Sequence, residues 1–234
     1  MDEPRDTDPP NLGSSIPARP TRPQIRGGSG DHFSAPLGLL KNGRLRFTRG
    51  AHRVVIRADS NVRGLYYARF GTRVPVVEVR GGMVTLRYPR SPNDDWLDRQ
   101  SERPAEVTLN AQIPWDIEVR GGTSRLTADL RGLQLGSLKV DGGAGRLQVA
   151  LPAPSGIVAV AILGGVSNVA IHRPEGVAAR LRVGGGATNL RFDDRHIGAV
   201  GGELDLQSGD YDGATDNYDV VVMGGANNVS IDRQ

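Results

Sequence analysis

One phrase recurs along this chain and limits what it can fold into: two alternating apolar residues, a glycine pair, then two more alternating apolar residues. A clear copy runs Leu138-Lys139-Val140-Asp141-Gly142-Gly143-Ala144-Gly145-Arg146-Leu147-Gln148-Val149. Counted from the second glycine, apolar side chains fall five and three residues before it and four and six after it. The copies centre on Gly50, Gly82, Gly122, Gly143, Gly165, Gly186, Gly202 and Gly225. Of the 32 positions so defined 31 are apolar, Ser208 being the exception, whereas the chain's 38% apolar content gives about 12.

Alternation with period two places these side chains on one face of short strands. From Gly122 onward the second glycines are 21, 22, 21, 16 and 23 residues apart, a solenoid coil length and too short for helical repeats. Strict alternation, abundant valine and frequent Gly or Pro leave no long window of helical period. The expectation is an all-β, single-stranded parallel β-solenoid, right-handed by the crossover rule. About eight to ten coils stacked at ~4.8 Å span roughly 40 Å. Glycine suits each corner for two reasons: it adopts positive φ without penalty, and a column without side chains lets stacked corners approach closely.

Residues 1–43 read as a flexible tail, with Pro9-Pro10, Pro17, Pro20, Pro23 and Gly27-Gly28-Ser29-Gly30 interrupting any apolar period. The solenoid then occupies 44–234. Leu65-Tyr66-Tyr67 and Val74-Pro75-Val76-Val77 supply a strand pair, and Pro89 to Pro104 reads as an exposed loop inserted between coils.

Three residues past the second glycine the series reads Arg53, Thr85, Arg125, Arg146, Asn168, Asn189, Asp205, Asn228. Asparagines at stacked positions can form an amide ladder. Arginine in the same column argues instead that the side chains point to water. Ala161 and Ala170, outward beside Val158, form a small smooth patch suited to docking.

Chemistry is harder to find. The absence of cysteine excludes disulfides and thiolate metal sites. His32, His52, His172 and His196 lack metal-ligand spacing, and Asp210 to Asp219 lacks the distant glutamate of an EF-hand. Asp94-Asp95 and Asp193-Asp194 are adjacent pairs, whereas acid/base catalysis needs carboxyls that face each other. Neither a nucleophile elbow nor a phosphate loop occurs. The expectation is therefore no enzyme, no cofactor and no metal. A net charge of +3 with 5% aromatics offers no nucleic-acid footprint. Met1-Asp2-Glu3-Pro4 opens no apolar run, and Gly156 to Val166 is too short to span a bilayer. A cytoplasmic protein is expected, at a membrane only through a partner and without inserting itself.

Val119-Arg120-Gly121-Gly122-Thr123-Ser124-Arg125-Leu126, Leu163-Gly164-Gly165-Val166-Ser167-Asn168-Val169 and Met223-Gly224-Gly225-Ala226-Asn227-Asn228-Val229-Ser230-Ile231 carry a resemblance. Residues from about 44 to 234 resemble the bacterial toast-rack β-solenoid group, which includes the C-terminal domain of LiaF-type antibiotic-response proteins and related adhesin-like domains. The resemblance implies a non-enzymatic part in envelope-stress sensing, acting through protein contacts. The leading expectation is thus an interaction or sensory module. The alternatives are a self-assembling scaffold and a polysaccharide-binding or polysaccharide-active β-helix. Candidate contact residues are Asp94, Asp95 and Trp96 in the insertion and Val229 and Ile231 in the last strand, where an open C-terminal coil would offer unpaired backbone to a protein partner or a second copy.

Overall fold

The computed structural model describes residues 32–71, 73–89 and 103–234. Its strands are β1 (His32–Pro36), β2 (Gly43–Phe47), β3 (Ala51–Asp59), β4 (Gly64–Arg69), β5 (Val76–Arg80), β6 (Met83–Arg87), β7 (Ala105–Asn110), β8 (Pro114–Arg120), β9 (Thr123–Asp129) and β10 (Gln134–Asp141). They continue as β11 (Ala144–Ala150), β12 (Ile157–Leu163), β13 (Val166–Arg173), β14 (Ala178–Gly184), β15 (Ala187–Phe192), β16 (Arg195–Val200), β17 (Leu204–Gln207), β18 (Asn217–Met223) and β19 (Ala226–Arg233). The only helical turn among the described residues is a 3-10 turn at Tyr211–Gly213.

The strands form two sheets, one of ten and one of nine. A coil is one strand of the nine-stranded sheet followed by one strand of the ten-stranded sheet. The pairs β2–β3, β6–β7, β8–β9, β10–β11, β12–β13, β14–β15 and β18–β19 are coils of this kind, and neighbouring coils pair in parallel. The apolar positions of the repeat meet between the sheets. In the copies on Gly50, Gly122, Gly143, Gly165, Gly186 and Gly225, all four predicted inward residues are buried, none above 2% exposed.

The strictly parallel, single-stranded expectation is corrected at both ends of the stack. There the chain reverses and lays down antiparallel strands. β4 pairs with β1 and β7, β5 with β6, β16 with β15, and β17 with β14. The proposed strand pair of residues 65–77 is split, because β4 lies in one sheet and β5 in the other. Residues 32–43, assigned to the tail from sequence, begin with β1, while 1–31 lie outside the described residues.

Chain order and spatial order also differ. The coil β2–β3 lies between β6–β7 and β8–β9, and the coil β18–β19 lies between β12–β13 and β14–β15. Both ends of the repeat region are therefore interior to the stack. The open C-terminal coil does not exist: β19 is paired on one side with β13 and on the other with β15. The outermost strands are instead β1 and β5 at one end and β16 and β17 at the other.

Candidate functional site

Six of the eight predicted corners line one edge of the stack. At Gly122, φ is 77°, and a Cβ would sit 2.7 Å from the carbonyl oxygen of Gly142 in the next coil. The corners are hydrogen-bonded coil to coil: Gly121 N donates to Asp141 O at 2.9 Å, Gly142 N to Leu163 O at 3.0 Å, Gly164 N to Met223 O at 2.8 Å and Gly224 N to Gly184 O at 2.9 Å. The N–H of the first glycine at each of these four corners is thus spent within the fold.

Two copies depart from the pattern. Gly82 turns the β5–β6 hairpin with Gly81 and lies at the opposite edge, beside Asn42, so it is not a sheet-to-sheet corner. Gly202 does sit between the two sheets, but on the reversed segment from β16 to β17, and nothing approaches its Cβ position within 4 Å. Both belong to end segments, where a coil has a neighbour on one side only.

Beyond the diglycine β9, β11, β13, β15 and β19 each expose two consecutive residues before the buried alternation resumes, and in β3 the equivalent pair, His52 and Arg53, is half-buried. The second of these forms the column noted in the sequence. In space it reads Arg53, Arg125, Arg146, Asn168, Asn228, Asn189, since Arg53 registers with Arg125, Arg125 with Arg146, and Arg146 with Asn168. From Arg125 to Asn189 the column is exposed, and its asparagine half is laddered. Asn189 Nδ2 donates to Asn228 Oδ1 at 2.6 Å, and Asn228 Nδ2 to Asn168 Oδ1 at 3.2 Å. Asn168 Nδ2 continues to Gly145 O at 3.4 Å, and His196 Nε2 meets Asn189 Oδ1 at 2.9 Å. The preference for water over a ladder is thus corrected for the asparagine half.

The arginine half borders an open cleft of about 480 Å³, lined among others by Arg49, Gly50, Arg53, Arg103, Gly121 and Ser124. Pro89 and Arg103, the described residues on either side of the insertion, both line this cleft, and in chain order the insertion falls between β6 and β7, within a coil rather than between coils. Asp94, Asp95 and Trp96 lie outside the described residues. Val229 and Ile231 are in the core, facing the opposite sheet, and offer a partner no surface. Ala161 and Ala170 lie on different sheets, so they do not form one patch, and Val158 is buried.

The outer sheet faces behave differently from the edge, because arginines there stand beside carboxylates of the neighbouring coil. Arg46 Nε donates to Glu118 at 2.7 Å, and Arg182 Nη2 to Asp219 at 2.6 Å. Partial burial raises the Glu118 pKa, but hydrogen bonds from Arg120 and Arg46 outweigh it and hold the carboxyl below its ordinary value. The acids of the 210–219 loop are also engaged, with Asp216 accepting from Gly156 N at 2.5 Å and Asp219 held by Arg182.

Residues 41–172 match the family Toast_rack_N, the N-terminal domain of toast_rack, DUF2154. The chain belongs to this family. The toast-rack architecture extends past the matched residues, since β14 to β19 continue the same two sheets. Among solved structures the toast-rack chain is similar to the crystal structure of a "putative cell adhesion protein" from Clostridium sporogenes ATCC 15579. The TM-score is 0.67 and the identity 20%, over 87% of this chain and 98% of that one. No curated protein sequence matches the chain. No helix among the described residues is long and apolar enough to cross a membrane.

Sequence reasoning missed two things at the site. One is that Arg53 lies directly beside Arg125, which depends on β3 lying against β9. The other is Arg173, an apparently ordinary basic residue that is buried.

Proposed function

We infer that this toast-rack chain is a non-enzymatic interaction module, serving a bacterial envelope-stress or regulatory system through contact with a protein partner. The observation that carries this reading is an apolar area on the outer face of the nine-stranded sheet. Ala161 registers with Val221, and Leu163 with Met223. Ile157 and Met223 at its margins are 69% and 47% exposed. Large exposed apolar side chains grouped on a flat sheet mark a contact surface rather than a substrate pocket. Lys139 and Arg182 flank it, registering with Ala161 and Val221, and supply a charged rim.

Site-specific photo-crosslinking in the native cell tests this. A photoreactive residue at Ala161 or Met223 is expected to capture one protein, and the same residue at Gln148, on the other sheet, is not. Capture from Gln148 as efficient as from Ala161, or none from either patch position, counts against the reading.

A second reading, the self-assembling scaffold, moves from the C-terminal strand to the actual ends. β5 is an edge strand carrying Val76, which is 39% exposed, and β16 and β17 are edges at the other end. Unpaired edges are where copies join end to end. Light scattering at rising concentration separates this reading from the first, since a strict monomer counts against the scaffold.

A further inference from the structure

On the sheet faces this sequence sets arginine opposite acid. At the diglycine edge it sets arginine opposite arginine: Arg53, Arg125 and Arg146 occupy one register position on three consecutive parallel strands. Like charges directly opposite one another destabilise a sheet. No carboxylate lies within ion-pair distance of these three, nor of Arg49 or Arg103 beside them, among the described residues. The segments 49–53, 121–125 and 142–146 contain no acidic residue at all. The surface around the column is low. Glycine fills the corners, and the residue before each arginine is His52, Ser124 or Gly145. A Cβ on Gly145 would lie 2.8 Å from Ser124 O, so this shelf is held flat by close backbone packing.

We propose that this edge binds an extended acidic polysaccharide lying along the stack axis. Carboxylates of alternate sugars pair with Arg53 and Arg146, Arg125 donates to the hydroxyl groups of the sugar between them, and the chain end enters the cleft toward Arg49 and Arg103. Three properties select this ligand class. The strand spacing of about 4.8 Å is close to the rise of one sugar ring, and an extended two-fold chain turns alternate carboxylates to the same side. Carboxylates two sugars apart therefore meet Arg53 and Arg146, which stand two strands apart, while Arg125 faces the sugar between them. Guanidinium binds carboxylate bidentately, and Ser124 adds a hydroxyl partner for the sugar. The segments 49–53, 121–125 and 142–146 contain no Phe, Tyr or Trp, and His52 and the cleft residue Tyr88 lie at one end of the row, so no run of rings follows the arginines as the stacking platform that single-stranded nucleic acid uses. The three segments also lack the large apolar residues by which a surface enters a lipid layer. The inference concerns a different surface from the apolar area proposed above for a protein partner, and each stands or falls separately.

The test is titration of the full chain with polygalacturonate, beside dextran, polyglutamate, an oligothymidylate and monomeric galacturonic acid. The wild type is expected to bind polygalacturonate more tightly than polyglutamate or the oligonucleotide, with no binding to dextran and weak binding to the monomer. Arg53→Gln/Arg125→Gln/Arg146→Gln is expected to lose at least tenfold in affinity while keeping the wild-type melting temperature or exceeding it. Arg63→Gln/Arg195→Gln, which removes exposed charge at the opposite edge of the stack, is expected to change affinity less than twofold. Absence of polygalacturonate binding, equal binding by the triple-glutamine variant, or a preference for polyglutamate or oligothymidylate overturns the proposal. None of these outcomes bears on the photo-crosslinking result.

Discussion

Arg173 and Asp193 form an ion pair that spans an intervening strand. Arg173 ends β13 and Asp193 follows β15, with β19 running between them. Both guanidinium Nη atoms donate to the Asp193 carboxylate at 2.7 Å, Nε donates to Val177 O at 2.8 Å, and the group lies 5.7 Å from the Phe192 ring centroid. Asp193 N in turn donates to Ile231 O at 2.9 Å, and Gln234 N to Arg173 O at 2.9 Å. The pair therefore clasps the inserted coil β18–β19 from the coils on either side.

Breaking this clasp from one side strands a buried charge. Arg173→Met is expected to destabilise the fold by about 3 kcal/mol, the lower end for a broken buried pair, since Asp193 loses its bidentate partner and keeps only the half-exposed Arg233 at 3.5 Å. Asp193→Asn is preferable to larger changes there because φ is 51°. The double variant Arg173→Met/Asp193→Asn is expected to cost less than the sum of the two single changes. Denaturant unfolding checks this, and strict additivity argues against a clasp.

The inserted position of β18–β19 also fixes its dynamics. Its amides are expected to exchange on the slowest timescale of the chain, alongside those of β11 and β13, while β5, β16 and β17 exchange fastest as edges. Hydrogen exchange resolved by strand decides the matter. Fast exchange in β19 would place it at the end of the stack.

Gly122→Ala is expected to be strongly destabilising, because positive φ and a contact of 2.7 Å with Gly142 O act together. The loss should exceed about 1 kcal/mol, the lower end of the cost of such backbone strain. Gly202→Ala, at an open position, is expected to be nearly neutral. Melting temperatures of the two variants measure the contrast directly.

Glu118 gives the pH dependence. Its folded pKa lies below the ordinary value, so its contribution is complete above about 4.3 and is lost as pH falls through the folded pKa. Glu118→Gln is therefore expected to be less stable than wild type at pH 7, and the gap is expected to be narrower at pH 3. Urea unfolding at both pH values checks the sign.

These predictions separate what the sequence makes legible from what it hides. Period-two alternation specified which side chains of six coils face inward, because burial of one strand face is a local property. Coil order is not local. Every coil presents the same inward pattern, so β13 satisfies its hydrophobic face equally against β15 or β19, and nothing in the repeat says which. The ladder followed from the same ambiguity: Asn168, Asn228 and Asn189 touch in that order only because β19 lies between β13 and β15. The copies on Gly82 and Gly202 kept the repeat spacing while forming end segments, where alternation fits an antiparallel strand as well as a parallel one. The arginine column was visible in the sequence, but its continuity was not.

The insertion of the last coil is tested most directly by cysteine crosslinking, which the natural absence of cysteine makes clean. Ala170 registers with Ser230, and Ser230 with Arg191, so Ala170 and Arg191 stand on opposite sides of β19. Their separation is roughly two strand spacings of about 4.8 Å, beyond the ~7 Å that a disulfide bridges. Ala170→Cys/Ser230→Cys is expected to oxidise readily to an intramolecular disulfide, and Ala170→Cys/Arg191→Cys is not. Ready closure of the second pair and failure of the first would mean that the coils stack in chain order, contradicting the architecture described here.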